Sequence, residues 1–393
     1  MSRREERVAA RLLSADDAER AAKRRLPRSV YRYIEGGRQN EITSRGNTPA
    51  FQRITFRPRA GVSIPARDIR TTVLGTELAM PVVLAPVGFQ RLSHPDGEVG
   101  AARAAGAAGV GVCVSAMASF PIAEIAGATA GPAWYQLYFV GDRADVEAGI
   151  AEASRAGCTA LVVTMDTAAV VGRERYLRHA VVPAHIGWRE AVRFWPEILA
   201  HPSWCFGFLR GGRSLNVPNV GGPDRSPMPA LEAAATLPRY PTPAWADFAW
   251  IRELWDGPIV AKGILTAESA RCAVDAGASA IVVSNHGGNV LDGTPPSIEV
   301  LAEIVDAVGS ETEVLLDSGI RRGSDIAKAL AIGARAVLVG RAYVWALAAA
   351  GEPGVARLLE ILRTDLDRTL ALLGCARISD LDPSYIRLPA SGS

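Results

Sequence analysis

The sequence has no CxxC pair, no run of membrane-spanning apolar length, almost no net charge and no GxGxxG turn after its first apolar run. Each absence removes a class of function. The five cysteines, Cys113, Cys158, Cys205, Cys272 and Cys375, are scattered and odd in number. That argues against a disulfide framework or a zinc site, and no metal is expected. No run reaches the roughly 18 apolar residues that a spanning helix needs. The N-terminus is polar and Arg-rich without an apolar core segment, so no signal peptide and a cytoplasmic location are expected. A net charge of +2 gives no field that would draw nucleic acid or hold a membrane, and neither partner is expected.

What is present is a chain of 393 residues, 49% hydrophobic and 21% charged, enough for a large buried core. Length alone allows two or three domains, or one α/β barrel with insertions. Residues before about Pro58 read as helical. Ser14-Ala15-Asp16-Asp17 is a helix start, Pro27 interrupts the alanine-rich period, and a short helix from Ser29 to Glu35 stops at Gly36-Gly37. From Pro81 an alternation begins. Apolar runs at Pro81–Val87, Val110–Val114, Trp134–Phe139 and Thr159–Thr164 are each followed by a helical pattern or a loop. After a long excursion the alternation resumes with Pro258–Lys262, Ala280–Val283, Glu313–Leu316 and Arg335–Val339.

Eight buried strands in strict alternation with helices predict a parallel sheet closed into a (β/α)8 TIM barrel. The fold class is α/β, with an N-terminal helical extension and a long insertion after the fourth strand. An open doubly wound sheet is the alternative, weakened by the missing GxGxxG. We expect a single domain over 1–393. It divides into a helical preamble at 1–58, a lid or insertion at 168–257, the second half of the barrel at 258–351, and a C-terminal helix and tail at 352–393. Within the insertion, Gly187 to Gly211 carries Trp188, Phe194, Trp195, Trp204, Phe206 and Phe208. Apolar positions at Trp188, Val192, Trp195 and Leu199 suit an amphipathic helix that serves as lid, subunit interface or membrane contact. The Pro/Gly-rich stretch from Pro218 to Pro243 suits a gate over the pocket.

A barrel places its chemistry at the C-terminal ends of its strands. Those ends carry Val87-Gly88, Ser115, Gln136 and Tyr138, Asp166, Lys262, Ser284 and His286, Asp317 to Arg321, and Gly340-Arg341. Such a concentration of polar groups predicts one concave, charged site. Gly319 with Arg321, and Gly340-Arg341, follow the last two strands, where a backbone phosphate site is often built. Arginine binds phosphate bidentately and glycine lets backbone approach, so a phosphorylated cofactor or substrate is expected; ordinary turns with solvated arginines are the plainer reading.

The stretch Ser284-Asn285-His286-Gly287-Gly288-Asn289-Val290-Leu291-Asp292 follows a β-branched run. One histidine is more often a satisfied core residue. Here the polar flanks and the glycine pair favour a site, with backbone open to a ligand. His286 suits a general acid or base. Asp166 could orient its ring, and Lys262 could face a developing anion, or else pair structurally with Asp166 or Asp317.

SNHGG, the Lys-Gly pair at the fifth strand, LLDSGIRRGSDIAKALAIGA, VGRA, LPRSVYRY, MPVVLAP, YQLY and the RER after Met-Asp-Thr resemble the FMN-dependent α-hydroxy-acid oxidase/dehydrogenase family. The resemblance covers nearly the whole chain and implies FMN as cofactor. It implies that His286 takes the substrate proton while hydride leaves for the flavin. Asp166 would orient His286, Lys262 would stabilise the anionic reduced flavin, and Tyr138 would bond the reacting heteroatom. Tyr33 and Arg173 match positions that hold a substrate carboxylate. Val87, Gly88, Ser115, Gln136, Thr164, Ser284, Asp317, Ser318, Gly319, Arg321, Gly340 and Arg341 match flavin and phosphate contacts.

Two departures stand out. Asn289 occupies the position where the family usually has an arginine that grips the carboxylate, and Gly172 directly precedes Arg173. Both resemble the pre-mycofactocin synthase subgroup, as does the segment through Leu291-Asp292-Gly293-Thr294-Pro295. That subgroup oxidises an amine carbon of a peptide-derived ring to an α-keto amide, so the resemblance implies a small-molecule or modified-peptide substrate. A 2-hydroxy acid of lactate, glycolate or mandelate type is the alternative substrate. Oxygen or another electron acceptor would reoxidise the flavin, and a homo-oligomer, commonly a tetramer, is implied. A non-redox FMN isomerase and a non-catalytic metabolite-binding barrel stay open as other classes.

Overall fold

The computed structural model describes residues 2–169, 196, 199–210, 215–220, 228–229, 233 and 242–389. Eight parallel strands close into one barrel. They are β1 (Val82–Leu84), β2 (Gly111–Ser115), β3 (Ala133–Leu137), β4 (Ala160–Thr164), β5 (Ile259–Ile264), β6 (Ala280–Val283), β7 (Glu313–Leu316) and β8 (Ala336–Val339). Closure runs through β8 and β1, where Val337 pairs with Val82 and Val339 with Leu84. The expected TIM barrel is therefore the fold, and the open sheet is excluded.

The barrel strands are apolar on both faces over most of their length because both faces are covered. Val83, Cys113, Trp134, Val162, Val260, Val282, Leu315 and Leu338 point inward and form one cluster. Their neighbours Val82, Val112, Tyr135, Val163, Ala261, Ile281, Leu316 and Val337 point outward into the helix-facing core. The two-residue period of a strand accounts for this division. A hairpin that the sequence pattern does not reveal, Thr71–Val73 with Thr76–Leu78, adds Val73 and Leu78 to the interior cluster. The Leu74 N–H donates to Glu313 Oε2 at 3.0 Å, at the N-terminal end of β7. The hairpin plugs that end, which leaves the C-terminal mouth for chemistry.

The preamble holds helices at Arg3–Ala10, Ala15–Arg25, Arg28–Glu35 and Ile42–Arg53. Ser14 caps the second by accepting from the Asp17 N–H at 3.2 Å, as its position before the alanine-rich stretch suggests. The two helices expected after β8 form one element, Arg341–Leu373, kinked at Ala350 and Gly351. Pro353 has no N–H to continue the ladder, and the Glu352 N–H donates instead to Asp96 Oδ2 at 3.1 Å. Gly351 has φ +62°, and a Cβ there would lie 2.5 Å from Asp96 Oδ2.

Inside the insertion, Pro202–Arg210 is helical, and Trp204 Nε1 donates to the Leu92 carbonyl at 2.8 Å. Most of the expected amphipathic segment before it, with Trp188, Val192 and Trp195, lies outside the described residues, as does most of the expected gate. Among the described residues, no helix is long and apolar enough to cross a membrane.

Candidate active site

Strand β6 ends at Val283, and the chain then turns through three successive left-handed residues: His286 at φ +55°, Gly287 at +64° and Gly288 at +74°. A histidine in that region costs about 1–2 kcal/mol, so the surroundings must hold it there. They do so through main-chain donors. The N–H groups of His286, Gly287 and Gly288 donate to Ser284 Oγ (3.0 Å), Ser318 Oγ (3.0 Å) and Asn285 Oδ1 (3.2 Å). The two glycines are also required by packing. A Cβ on Gly287 would meet Arg341 Nη1 at 2.7 Å, and one on Gly288 would meet Ser44 N at 2.5 Å. Both glycines thus permit close approach of other protein segments to the loop.

His286 Nδ1 lies 3.1 and 3.3 Å from the two Asp166 oxygens, and Nε2 lies 3.4 Å from the Tyr138 hydroxyl. Burial pushes the Asp166 carboxyl up, but His286 and Lys262 outweigh it and hold it below the ordinary range. An anionic Asp166 assigns the proton to Nδ1, so Nε2 is the basic nitrogen. Burial, reinforced by the Asp166 charge, raises the Tyr138 phenol, which is protonated and able to donate at neutral pH. Strand β5 makes room for Asp166. Its register shifts between Lys262 and Ile264, and a Cβ on Gly263 (φ +102°) would fall 2.5 Å from the Asp166 carboxyl carbon.

Lys262 is 3% exposed. Its Nζ contacts Asp317 Oδ2 at 2.8 Å and donates to Ser284 Oγ at 2.9 Å. Burial disfavours the ammonium, but Asp317 and Asp166 more than offset it and raise its pKa, so the lysine is a cation. Beside it runs a buried polar belt. Ser115 Oγ donates to Gln136 Oε1 at 3.0 Å, and Gln136 Nε2 donates to Thr164 Oγ1 at 2.9 Å. The register that sets Ser115 against Gln136, and Thr164 against Lys262, builds the belt from four adjacent strands.

The β7 and β8 ends carry the remaining predicted residues. Ser318, at φ +71°, donates to Asp317 Oδ1 at 2.7 Å. A Cβ on Gly319 would press on the Asn47 carbonyl oxygen at 2.7 Å, so packing explains this glycine. The Arg321 guanidinium lies 4.7 Å from the centre of the Trp345 ring and is depressed by burial. Arg341 reaches the carbonyls of Ile34 (3.1 Å), Gly287 (2.6 Å) and Gly36 (3.2 Å), a role the sequence does not announce. The Val87 carbonyl accepts from Gln90 Nε2 at 3.0 Å, and a Cβ on Gly88 would collide with Met117 Cβ at 2.6 Å. Tyr33 packs edge-on against Phe89 with ring centroids 6.3 Å apart. The Asn289 carbonyl accepts from Arg38 Nε at 2.7 Å. Arg173 lies outside the described residues.

The residues present suit a flavin mononucleotide. A buried amide–hydroxyl belt beside a lysine cation provides both donors and acceptors for a polar ring. Gly340 starts the Arg341–Leu373 helix without a side-chain cap, and a Cβ on it would meet only Ala85 Cβ at 3.7 Å, leaving that helix N-terminus open to a phosphate.

Sequence reasoning missed the wall behind the His286 loop. Asn47 and Asn285 exchange amide hydrogen bonds at 3.0 and 2.7 Å, and Asp292 accepts from the Asn40 and Thr43 N–H groups at 3.0 and 2.9 Å. Polar residues repeated through Gly36–Asn47 were the available signal.

The FMN-dependent dehydrogenase family matches residues 22–388. The chain is 42% identical over 374 residues to the pre-mycofactocin synthase of Mycolicibacterium smegmatis, covering 95% of this chain and 93% of that protein. It is 40% identical over 370 residues to an L-lactate dehydrogenase of Chromohalobacter salexigens, covering 94% and 93%. The crystal structure of the monotopic membrane protein (S)-mandelate dehydrogenase superposes with a TM-score of 0.88 at 35% identity, covering 96% of this chain and all of that one.

Proposed function

The chain belongs to the FMN-dependent dehydrogenase family, and from that premise we propose that it oxidises an amine-bearing carbon in a peptide-derived substrate that lacks a free carboxylate. That it is an FMN-dependent oxidoreductase follows from the family. The substrate rests on one observation: Asn289, three residues after His286, is short and neutral where a carboxylate-gripping arginine is usual. The likeness to pre-mycofactocin synthase supports the same reading.

In this reading Lys262, Val87, Gly88, Ser115, Gln136, Thr164 and Ser284 would hold the flavin ring. Asp317, Ser318, Gly319, Arg321, Gly340 and Arg341 would hold its ribityl phosphate end. FMN, when bound, supplies a two-electron acceptor for hydride. His286 Nε2 removes the proton from the substrate amine or hydroxyl as the C–H bond gives up its hydride. Asp166 holds the Nδ1–H and stabilises the imidazolium that forms. The protonated Tyr138 donates to the reacting heteroatom. Lys262 sets positive charge against the negative charge that accumulates on reduction. Oxygen or another carrier would then take the electrons, and we expect a cytoplasmic homo-oligomer, a tetramer.

A second reading, oxidation of a 2-hydroxy acid, is supported by Tyr33, which matches a carboxylate-holding position and packs on Phe89. Anaerobic mixing with substrate separates the two. A cyclic amine next to an amide carbonyl should bleach the flavin, while lactate, glycolate and mandelate should do so slowly, and faster only in Asn289→Arg. Rapid bleaching by a simple hydroxy acid in the unaltered protein would transfer the assignment to the second reading. A flavin that no substrate reduces would point to non-redox isomerisation.

A further inference from the structure

We propose that Ser318 is a positioning residue of this site: its hydroxyl closes a hydrogen-bonded ring that ties the His286 turn to the Lys262–Asp317 pair, so that the base and the flavin-facing cation are held as one unit. The inference rests on the roles given above to His286 and Lys262, and deepens them by naming what fixes one relative to the other. It gives the Ser318 hydroxyl a task beyond the flavin contact proposed for that residue.

Ser318 sits at φ +71°, a conformation that glycine adopts freely and serine does not. Backbone kept in such a region needs contacts that outweigh its cost. The main chain before it is pinned: the Asp317 N–H donates to the Val283 carbonyl at 3.0 Å, and the buried Ser297 hydroxyl donates to the Asp317 carbonyl. From there the Ser318 hydroxyl reaches two groups. It donates to Asp317 Oδ1 at 2.7 Å and accepts from the Gly287 N–H at 3.0 Å. Three adjacent strands supply the rest. Lys262 of β5 pairs with Val282 of β6, and Val283 of β6 pairs with Leu316 of β7, so Lys262, Ser284 and Asp317 emerge side by side at the mouth. Lys262 Nζ lies 2.8 Å from Asp317 Oδ2 and donates to Ser284 Oγ at 2.9 Å. Ser284 Oγ also accepts from the His286 N–H at 3.0 Å. The peptide bond between His286 and Gly287 closes the ring.

Lys262, Ser284, Asp317 and Ser318 are all buried, so water does not compete for these bonds. Two routes join Lys262 to the turn, one through Ser284 and one through Asp317 and Ser318. They end on successive N–H groups, those of His286 and Gly287. With one route alone the turn could pivot, and the glycine in it would offer little resistance. With both, its orientation is fixed as well as its distance. His286 gains from this, because its ring must keep Nδ1 at 3.1 Å from Asp166 Oδ1 while its own backbone is held at φ +55°. A misplacement of about 1 Å in a reacting group costs on the order of 100-fold in rate. Ser318 acts through the turn, not on the reacting atoms.

The test compares Ser318→Gly with Ser318→Ala in the FMN-loaded protein. Both remove the hydroxyl, but glycine relieves the left-handed backbone and alanine does not, so the glycine variant should unfold at higher urea. Amide hydrogen exchange over residues 284–289 should quicken by about fivefold or more in both, the scale of one lost hydrogen bond. Peptides from the distant helix Arg143–Arg155 should change by less than about twofold. Ser284→Ala should quicken the same residues, and the double variant with Ser318→Gly should fall short of the product of the single factors, because a ring opened once no longer fixes the turn. With whichever of lactate, mandelate or the cyclic amine bleaches the flavin in the test above, the limiting rate of anaerobic reduction should fall by about fivefold or more in both Ser318 variants. The half-saturating concentration should move by less than about twofold, as for a residue that places the base without binding the substrate. Unchanged exchange at 284–289 overturns the proposal, as does a double variant that reaches or exceeds the product. Quickened exchange with an unaltered reduction rate removes the positioning role, and losses that follow the urea midpoints of the two variants reduce Ser318 to a matter of stability. If the oxidation reading alone is wrong, no probe bleaches the flavin while the exchange pattern stands.

Discussion

Asn47 offers the sharpest test of how the site is held. Its amide and that of Asn285 exchange two hydrogen bonds, 3.0 and 2.7 Å, between two fully buried side chains. In Asn47→Ala both bonds vanish. The Asn285 amide is not orphaned, because Oδ1 still accepts from the Gly288 N–H at 3.2 Å and Nδ2 still donates to the Pro295 carbonyl at 3.1 Å. The cost is therefore two net hydrogen bonds at about 1 kcal/mol each plus a small cavity, roughly 2–3 kcal/mol in all. Urea denaturation of the FMN-loaded protein should show that loss with an unchanged m-value. Because Asn285 orders the turn that places His286, kcat should fall by about tenfold, equivalent to roughly 1.4 kcal/mol of transition-state energy. A double-mutant cycle with Asn285→Ala isolates the pair. A coupling energy below about 0.3 kcal/mol together with an unaltered kcat would refute the idea that the helix Ile42–Arg53 positions the His286 loop.

Lys262→Met leaves the buried Asp317 carboxylate with Ser318 Oγ at 2.7 Å but no cation, and should cost about 3–5 kcal/mol in thermal unfolding. Adding Asp317→Leu should restore most of that stability, while the flavin midpoint potential, measured by redox titration, should remain lowered; recovery of the potential would remove Lys262 from the proposed electrostatic role. Hydrogen bonding from His94 holds the Asp96 carboxyl at a pKa of about 2 against the opposing effect of burial. Its folded pKa is below its unfolded one, so its contribution is present above the ordinary carboxylate range and is lost as pH falls from about 4 toward 2. Allowing for its partial exposure, Asp96→Asn should cost roughly 1 kcal/mol at neutral pH and flatten the acid limb of a urea-midpoint-against-pH curve. Parallel curves for the two proteins would contradict this.

Eight apolar runs in alternation with helices were enough to identify a closed barrel, because burial on both faces writes itself into each strand locally. The residues at the run ends were legible for the same reason: once the strands are known, polar groups there share one mouth. His286, Asp166 and Tyr138 do come together, as do Lys262, Ser284 and Asp317. The helix Ile42–Arg53 was less legible. It contains Gly46 and Pro49 and starts from Glu41 at φ +62° with no side-chain cap, so packing rather than propensity forms it. The hairpin that plugs the barrel has strands of three residues, too short for a period to register.

By itself, then, the sequence determined the barrel, its mouth and the residue types collected there, since periodicity and strand ends are local properties. Only the tertiary structure decided the partners. It paired Lys262 directly with Asp317 rather than with Asp166, and packed Gly287 and Gly288 against Arg341 and Ser44. It also set Arg38 against Asn289, 251 positions away. Partner choice depends on distances between distant segments, and hydrophobic periodicity carries no record of them.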